Sequence, residues 1–293
     1  MILLLVNPVS GNRTSRSVAE KLEQELHKIN EVVEVVFSQH SGYFIGCLKE
    51  KELKSYSKIG VVGGDGTFHE VVNGLMLNPS SAKPPVFLFP CGSGNALCHD
   101  LAILTVETAL EHFVKGAVTR LDLLKITMKR EVIYSFNILG FGLVTAINRT
   151  AEKWRWMGDS RYTLASIYHL LRNKSHTAKL KVDAVSYSGQ LCFVLACNTE
   201  HTGKGMRMAP GSVMNDGLVD VLIVKEVSVL QLLRLFPLIF SGKHIYSPLL
   251  QIVKAKRIEI ETPAPQAINI DGEIKGSTSY QAELMVGALE LIV

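Results

Sequence analysis

The run Gly63-Gly64-Asp65-Gly66-Thr67 constrains this chain more than any other feature. It follows directly on a short apolar stretch, Ile59 to Val62, and leads into an expected helix that carries Val71 to Leu75. A strand that ends in a glycine turn and re-enters as a helix is the unit of a parallel sheet covered by helices. The same punctuation occurs twice more. Ile2 to Val6 ends in Asn7-Pro8-Val9-Ser10-Gly11, and Val86 to Phe89 ends in Pro90-Cys91-Gly92-Ser93-Gly94-Asn95. Between these runs, Val18, Leu22, Leu26 and Ile29 recur at helical spacing, Val32 to Phe37 is β-branched, and Thr105 to Lys115 reads as a helix with Thr105 at its N-cap. In such sheets ligands bind beyond the carboxyl ends of the strands, so the three turns are expected to converge in space.

The rhythm changes near Leu121. Short β-rich runs follow: Val132 to Leu139, Leu180 to Tyr187, Leu191 to Cys197, Leu218 to Val224, Arg257 to Glu261 and Ala267 to Ile270. Two helical stretches interrupt them, roughly Thr150 to Arg172 and Val227 to Phe240. The expected architecture is therefore an N-terminal α/β domain with a parallel sheet and flanking helices, then a C-terminal β-sandwich with helical insertions. We place the first domain at 1–122, completed by 283–293, and the second at 123–282.

The 293 residues are 47% hydrophobic and 20% charged, which allows a substantial core and argues against disorder. A net charge of +4 suits an anionic substrate or membrane surface and is too small to argue for nucleic acid. The five cysteines form no CxxC pair, so neither a disulfide framework nor a zinc site is expected, and a reducing cytosol is the simplest compartment. The N-terminal MILLLVNP lacks a basic n-region and reads as a first strand rather than a signal peptide. Val227 to Phe240 is the longest greasy stretch, but it contains Gln231, Arg234 and Pro237 and falls short of the roughly 20 apolar residues of a membrane span.

In the first turn, Gly63, Gly64 and Gly66 let a phosphate approach backbone N–H groups, Thr67 can donate to a phosphate oxygen, and the following helix points its N-terminus at the same anion. Asp65 is then conspicuous, because a carboxylate among phosphates is repulsive unless it holds Mg²⁺ or takes a proton. In the third turn, Gly92 and Gly94 free the backbone while Ser93 and Asn95 offer polar contacts. No GKT or GKS follows, so this is not a Walker A loop, and no GxGxxG is present. In Asn269-Ile270-Asp271-Gly272-Glu273, the carboxylates of Asp271 and Glu273 suit metal binding or proton removal, or a solvated turn. Asn215-Asp216-Gly217 is a hairpin signal, with a metal role for Asp216 as the sharper alternative. In the segment 152–162, Arg155 and Arg161 can clamp phosphates or simply face solvent, and Trp154 and Trp156 read as packing residues.

Taken together, GGDGTFHEVVNGL, PCGSGNAL and IDGE resemble the diacylglycerol kinase catalytic-domain superfamily over nearly the whole chain. That group includes sphingosine kinases, ceramide kinases and bacterial lipid kinases. The resemblance implies an ATP- and Mg²⁺-dependent lipid kinase with an N-terminal nucleotide domain, a C-terminal lipid-holding sandwich and the active site between them. It implies nucleotide contacts from Asn7, Pro8, Ser10, Gly11, Ser38, the Gly63 to Thr67 loop, Glu70, Gly92, Ser93, Gly94 and Asn95, with Arg155 and Arg161 on the phosphates. Catalytic roles fall to Asp65, Asp271 and Glu273, and metal roles to Asp271, Glu273 and Asp216. Asp65 is the favoured base or proton relay, with Asp271 the alternative.

EKWRWMGDSRYTL and LQLLRLFPLIFSGKHI resemble the sphingosine and ceramide kinase branch. Sphingosine kinases place an acidic residue where this chain has Asn148, the position expected to meet the lipid, so a neutral acceptor such as ceramide or diacylglycerol gains weight. The expected partner is a lipid at a membrane surface, with no nucleic acid and a homodimer left open. The expected location is cytoplasmic and peripheral to the membrane. Val229, Leu232, Leu233 and Phe236 share one helical face, which suits either core packing or membrane docking. NAD kinases also use a GGDGT loop, but their usual NE-D pairing is absent. A non-catalytic nucleotide- or lipid-binding relative is the rival of another class.

Overall fold

The computed structural model describes residues 1–172 and 174–293, and the side chains at 12, 155, 159 and 204 lie outside that description. The chain divides into two compact units. The first comprises Met1–Leu123, Gly203–Gly205 and Val286–Val293, and the second Leu124–Thr202 and Met206–Met285.

The first unit is built on four parallel strands: β1 (Ile2–Val6), β2 (Val33–Phe37), β3 (Lys58–Gly63) and β4 (Val86–Pro90). Their spatial order is β4-β3-β1-β2. The register sets Val6 beside both Phe37 and Val62, and Gly63 beside Pro90. All four strands therefore stop at one edge. The helices α1 (Ser15–Lys28), α2 (Tyr43–Glu50), α3 (Asp65–Leu77), α4 (Ala96–Asp100) and α5 (Val106–Lys115) cover them. Helix α1 buries Ala19, Leu22 and Leu26, the three-and-four spacing of an amphipathic helix. At the start of α5 the Thr105 hydroxyl accepts the Thr108 N–H at 3.2 Å, the N-cap expected from sequence. Strand β5 (Val118–Thr127) carries the chain from the first unit into the second.

The second unit is a β-sandwich-like body of antiparallel strands: β6 (Val132–Ser135), β7 (Ile138–Gly142), β8 (His176–Val182), β9 (Val185–Cys197), a short β10–β11 pair (His201–Thr202 and Met206–Arg207), β12 (Val219–Lys225), β13 (Leu250–Ala255), β14 (Arg257–Glu261), β15 (Ala267–Ile270), β16 (Glu273–Ser277) and the start of β17 (Tyr280–Ile292). Alternate residues of β8, β12, β14 and β15, such as Leu180, Val221, Ile258 and Ile268, fill one core. The opposite face of β9 and β12, with Phe193, Leu195, Leu222 and Val224, fills a second core with Leu170 and Leu232. Burial on both faces explains why LCFVLAC and the VLIV of 221–224 read as unbroken apolar runs. The far end of β17 belongs to the first unit, where Leu291 pairs with Val86 and the Asp122 carboxylate accepts the Gly287 N–H at 2.6 Å.

Three local expectations need correcting. The run Leu180 to Tyr187 is not one strand: β8 and β9 meet in a tight turn at Asp183, whose φ is +50°. The helix expected over Thr150 to Arg172 is two helices, α6 (Leu143–Lys153) and α7 (Arg161–Arg172), separated by a 3₁₀ segment in which Gly158 adopts φ +60°. The helix expected over Val227 to Phe240 shortens to α8 (Val229–Leu235), opened by a Ser228–Gln231 capping box and followed by a 3₁₀ turn carrying Pro237. Its face with Leu232 is core, and Leu233 and Phe236 pack against that core, which favours the core-packing alternative for this face. No helix among the described residues is long and apolar enough to cross a membrane.

Candidate active site

The aligned strand ends of the first unit bring the three glycine turns together. Asn7 follows β1 and donates its backbone N–H to Val62 at 3.0 Å, and Ser38 follows β2 and donates to Val6 at 2.9 Å. Cys91 follows β4 and donates to Gly63 at 2.8 Å. Side chains tie the turns further: Asn7 Nδ2 donates to Thr67 Oγ1 at 3.0 Å. The buried Ser15 hydroxyl, on the first residue of α1, donates to the carbonyl of Asn7. Ser15 escaped the sequence reading because a lone serine near a helix start carries no signal of its partner.

The closest approach is between Gly64 and Gly92. A Cβ built on Gly64 would lie 2.8 Å from the Cα of Gly92, so two backbones touch where any side chain would force them apart. Asn95 holds the second backbone in place: its Oδ1 accepts the Gly92 N–H at 2.9 Å and its Nδ2 donates to the Gly92 carbonyl at 3.0 Å. Ser93 at the tip is exposed, while Pro8, Ser10, Gly11, Gly66 and Gly94 are half-buried around it. A surface of closely spaced backbone N–H groups at the start of α3 is suited to an anion such as a phosphate.

Asp65 is the first residue of α3, and its Oδ2 accepts the Ala96 N–H at 3.0 Å, which couples the GGDGT turn to α4. Glu70 faces elsewhere: its two carboxylate oxygens accept the N–H groups of Gly42 at 2.7 Å and Phe44 at 3.3 Å. Glu70 thus caps α2 and steadies the segment after Ser38. Cys91 sits within the third turn, where burial pushes its thiol up to about 11 and keeps it protonated.

In the second unit the IDGE turn is more deeply built than a solvated hairpin. Asp271 is buried, with φ +51°. Its Oδ1 accepts from the Ser135 hydroxyl at 2.7 Å, Asn137 N at 2.9 Å and Ile138 N at 3.0 Å, and its Oδ2 accepts Phe136 N at 3.2 Å. One carboxylate thereby gathers the whole β6–β7 connection. Asn198 and Thr199 extend the same buried network, donating to the Phe136 carbonyl and to Asn137 Oδ1. Sequence reasoning missed Ser135, Asn137, Asn198 and Thr199, since no spacing links positions so far apart in the chain. Glu273 opens β16 and is exposed.

Asn148, on α6, reaches this turn. Its Nδ2 donates to the Gly272 carbonyl, and its Oδ1 accepts the Tyr162 hydroxyl at 3.4 Å. Burial, reinforced by Glu152, raises Tyr162 above the usual phenol range, so it stays a neutral donor. Arg161 pairs with Glu152 at 3.6 Å and lies over the Tyr162 ring. The Arg155 side chain lies outside the described residues. Asp216 accepts the Leu218 N–H at 3.0 Å and pairs with Lys254 at 2.8 Å. These contacts give it the turn role rather than the metal one.

The described residues include no group of three His, Cys, Asp or Glu side chains placed to hold a metal ion. Asp271 already has its oxygens committed to four donors, and Asp216 is neutralised by Lys254. The three carboxylates expected to share Mg²⁺ do not fit a metal cage made by the protein.

A parallel α/β unit followed by a β-sandwich-like unit is the class this fold defines. Residues 1–126 match the diacylglycerol kinase catalytic domain, and residues 137–293 match the YegS C-terminal NAD kinase beta sandwich-like domain. The chain belongs to the diacylglycerol kinase catalytic-domain family with a YegS-type C-terminal domain, and is a lipid kinase, a phosphotransferase. It is 25% identical to a diacylglycerol kinase of Bacillus subtilis, over 93% of this chain and 89% of that one. It is 23% identical to sphingosine kinase 1 of Arabidopsis thaliana, over 96% of this chain and 70% of that one. Among solved structures, a putative diacylglycerol kinase from Bacillus anthracis superposes with a TM-score of 0.82 at 24% identity, covering 99% of this chain and 96% of that one, which shows the fold.

Proposed function

We propose that this chain transfers the γ-phosphoryl group of ATP to a primary hydroxyl of a membrane lipid with a neutral headgroup, of the ceramide or diacylglycerol class. The observation that carries the phosphoryl-transfer half is the contact of Gly64 with Gly92 beside Asp65. It leaves backbone N–H groups, not side chains, to meet the phosphates. In-line phosphoryl transfer asks a protein mainly for positioning and charge stabilisation, and a preformed loop cradle supplies positioning. Asp65 takes the proton of the attacking hydroxyl. Asp271 is a poorer base by geometry, because a proton arriving at Oδ1 would compete with three donors already there. Asp271 instead positions the β6–β7 connection and, through the turn it begins, Glu273. Mg²⁺ would enter with the nucleotide phosphates, keeping several waters, rather than sit in a protein cage.

The neutral headgroup follows from Asn148. Its amide is committed to Gly272 and Tyr162, and it offers no charge to an amine. The nearby Glu152 carboxylate faces Arg161. A single-turnover assay with γ-labelled ATP against sphingosine, ceramide, diacylglycerol and NAD tests both halves. Label on ceramide or diacylglycerol is expected. Label on NAD alone would overturn the lipid reading, and preferential label on sphingosine would overturn the neutral headgroup.

A further inference from the structure

Helix α6 turns polar side chains inward. Thr145, Asn148 and Glu152 follow the three-and-four spacing of one helical face, where a core helix would carry apolar ones. Thr145 and Asn148 are buried and Glu152 is half-buried. Buried polar groups persist with partners, and each of these has one inside the protein. The Thr145 hydroxyl donates to the Gly140 carbonyl at 3.0 Å. Asn148 Nδ2 donates to the carbonyl of Gly272, which stands between Asp271 and Glu273. Glu152 faces Arg161 at 3.6 Å.

Tyr162, the second residue of α7, completes this face. Its hydroxyl lies 3.4 Å from Asn148 Oδ1 and 3.4 Å from Glu152 Oε1, so one proton serves two acceptors. Burial raises the phenol above its usual range, which keeps that proton on the oxygen. Asn148 therefore has its nitrogen on Gly272 and its oxygen on Tyr162, and only 5% of the residue is exposed. A phenol oxygen is a weaker acceptor than a carboxamide oxygen, because its lone pair is delocalised into the ring. An N–H group brought beside Asn148 would find the acceptors of this face committed, and a desolvated donor left without a partner is costly. An ester in the same place has no donor to leave unpaired.

We propose that the Tyr162 hydroxyl is a specificity-determining group: by occupying Asn148 Oδ1 it selects against acceptor lipids that carry an N–H beside the reacting hydroxyl. This rests on the neutral-headgroup reading, in which Asn148 meets the lipid. Two acceptors that differ in one group test it, a short-chain diacylglycerol and its analogue with an amide in place of the 2-ester. Their kcat/KM values are compared for wild type, Tyr162→Phe, Asn148→Ala and the double variant, with KM for ATP and thermal unfolding reporting on the fold. The wild type is expected to favour the ester by about tenfold. In Tyr162→Phe the freed carboxamide oxygen can accept the N–H, and the ratio should fall towards one. On the Asn148→Ala background the same change should leave the ratio where it was, because that acceptor is gone. An equal ratio in wild type and Tyr162→Phe would overturn the inference and leave the neutral headgroup standing. So would a wild type that favours the amide, or a shift that persists without Asn148. Transfer to sphingosine in preference to both lipids would overturn the neutral headgroup and the inference with it.

Discussion

The glycine turns of the first unit and the IDGE turn of the second are both polar, both end strands and both carry a carboxylate, yet they are built in opposite ways. In the first, backbone meets backbone at Gly64 and Gly92, and side chains such as Asn95 only brace the approach. In the second, one buried side chain, Asp271, collects donors from residues 135–138. A surface made of backbone groups is suited to presenting N–H groups to a ligand. A carboxylate with four donors is suited to holding the protein's own loop. The comparison supports the proposal that Asp65 serves the chemistry and Asp271 the architecture, the order in which the sequence already ranks them as candidate bases.

That contrast breaks most readily at Asp65. Asp65→Asn keeps an oxygen for the Ala96 N–H but has no basic carboxylate. Turnover is expected to fall by roughly 10²–10⁴-fold with unfolding stability unchanged, read by steady-state kinetics beside chemical denaturation. Near-normal turnover in the folded variant would move the base elsewhere. Gly92→Ala comes next, because its Cβ has no space against Gly64. Displacing the cradle by a fraction of an ångström is expected to raise the KM for ATP and lower kcat/KM by up to about 10²-fold. An unchanged kcat/KM would mean that the phosphates do not rest on this contact.

Much of the first unit was legible in the sequence because its signals are local. Ile59 to Val62 followed by GGDGT states strand, turn and helix within a dozen residues, and the parallel register that aligns the three turns follows from the βαβ rhythm. Less of the second unit was legible. Asp271 and Ser135 are brought together across 136 positions of sequence, and no periodicity reports such a pairing. Helical faces show the same limit from another side. Periodicity found the apolar face of α8 that includes Leu232, but could not say that the sandwich covers it while Ile167 and Leu171 on α7 stay exposed. Gly158 breaks one expected helix in two because its positive φ is a choice of the folded chain, not a property of composition.

Asp271→Ala sharpens the comparison from the architectural side. It strands three backbone N–H groups and leaves the Ser135 hydroxyl only the Ile138 carbonyl, and a hydrogen-bonded charge in such a place is worth on the order of 3 kcal/mol. Stability is expected to drop by about that amount, with specific activity lost in proportion to the folded fraction. A variant that keeps full stability but loses turnover would return Asp271 to the chemistry.

The smallest effect is expected at Asp216, the third carboxylate first considered for the metal. Its partner Lys254 is 44% exposed, and solvent screens the pair, so Asp216→Asn should cost only about 0–1 kcal/mol. The pH dependence has a definite sign. Lys254 is raised above its ordinary 10.5, chiefly by its hydrogen bond to Asp216. The pair's contribution is therefore fully present below 10.5 and fades as pH climbs through the raised value of the folded state. Denaturation of wild type and Asp216→Asn at neutral pH and above that range should show a small gap that closes. Turnover at neutral pH should be the same in both. A large loss of turnover, with the small stability gap intact, would show that this carboxylate serves the reaction and that its ion pair with Lys254 is not its main work.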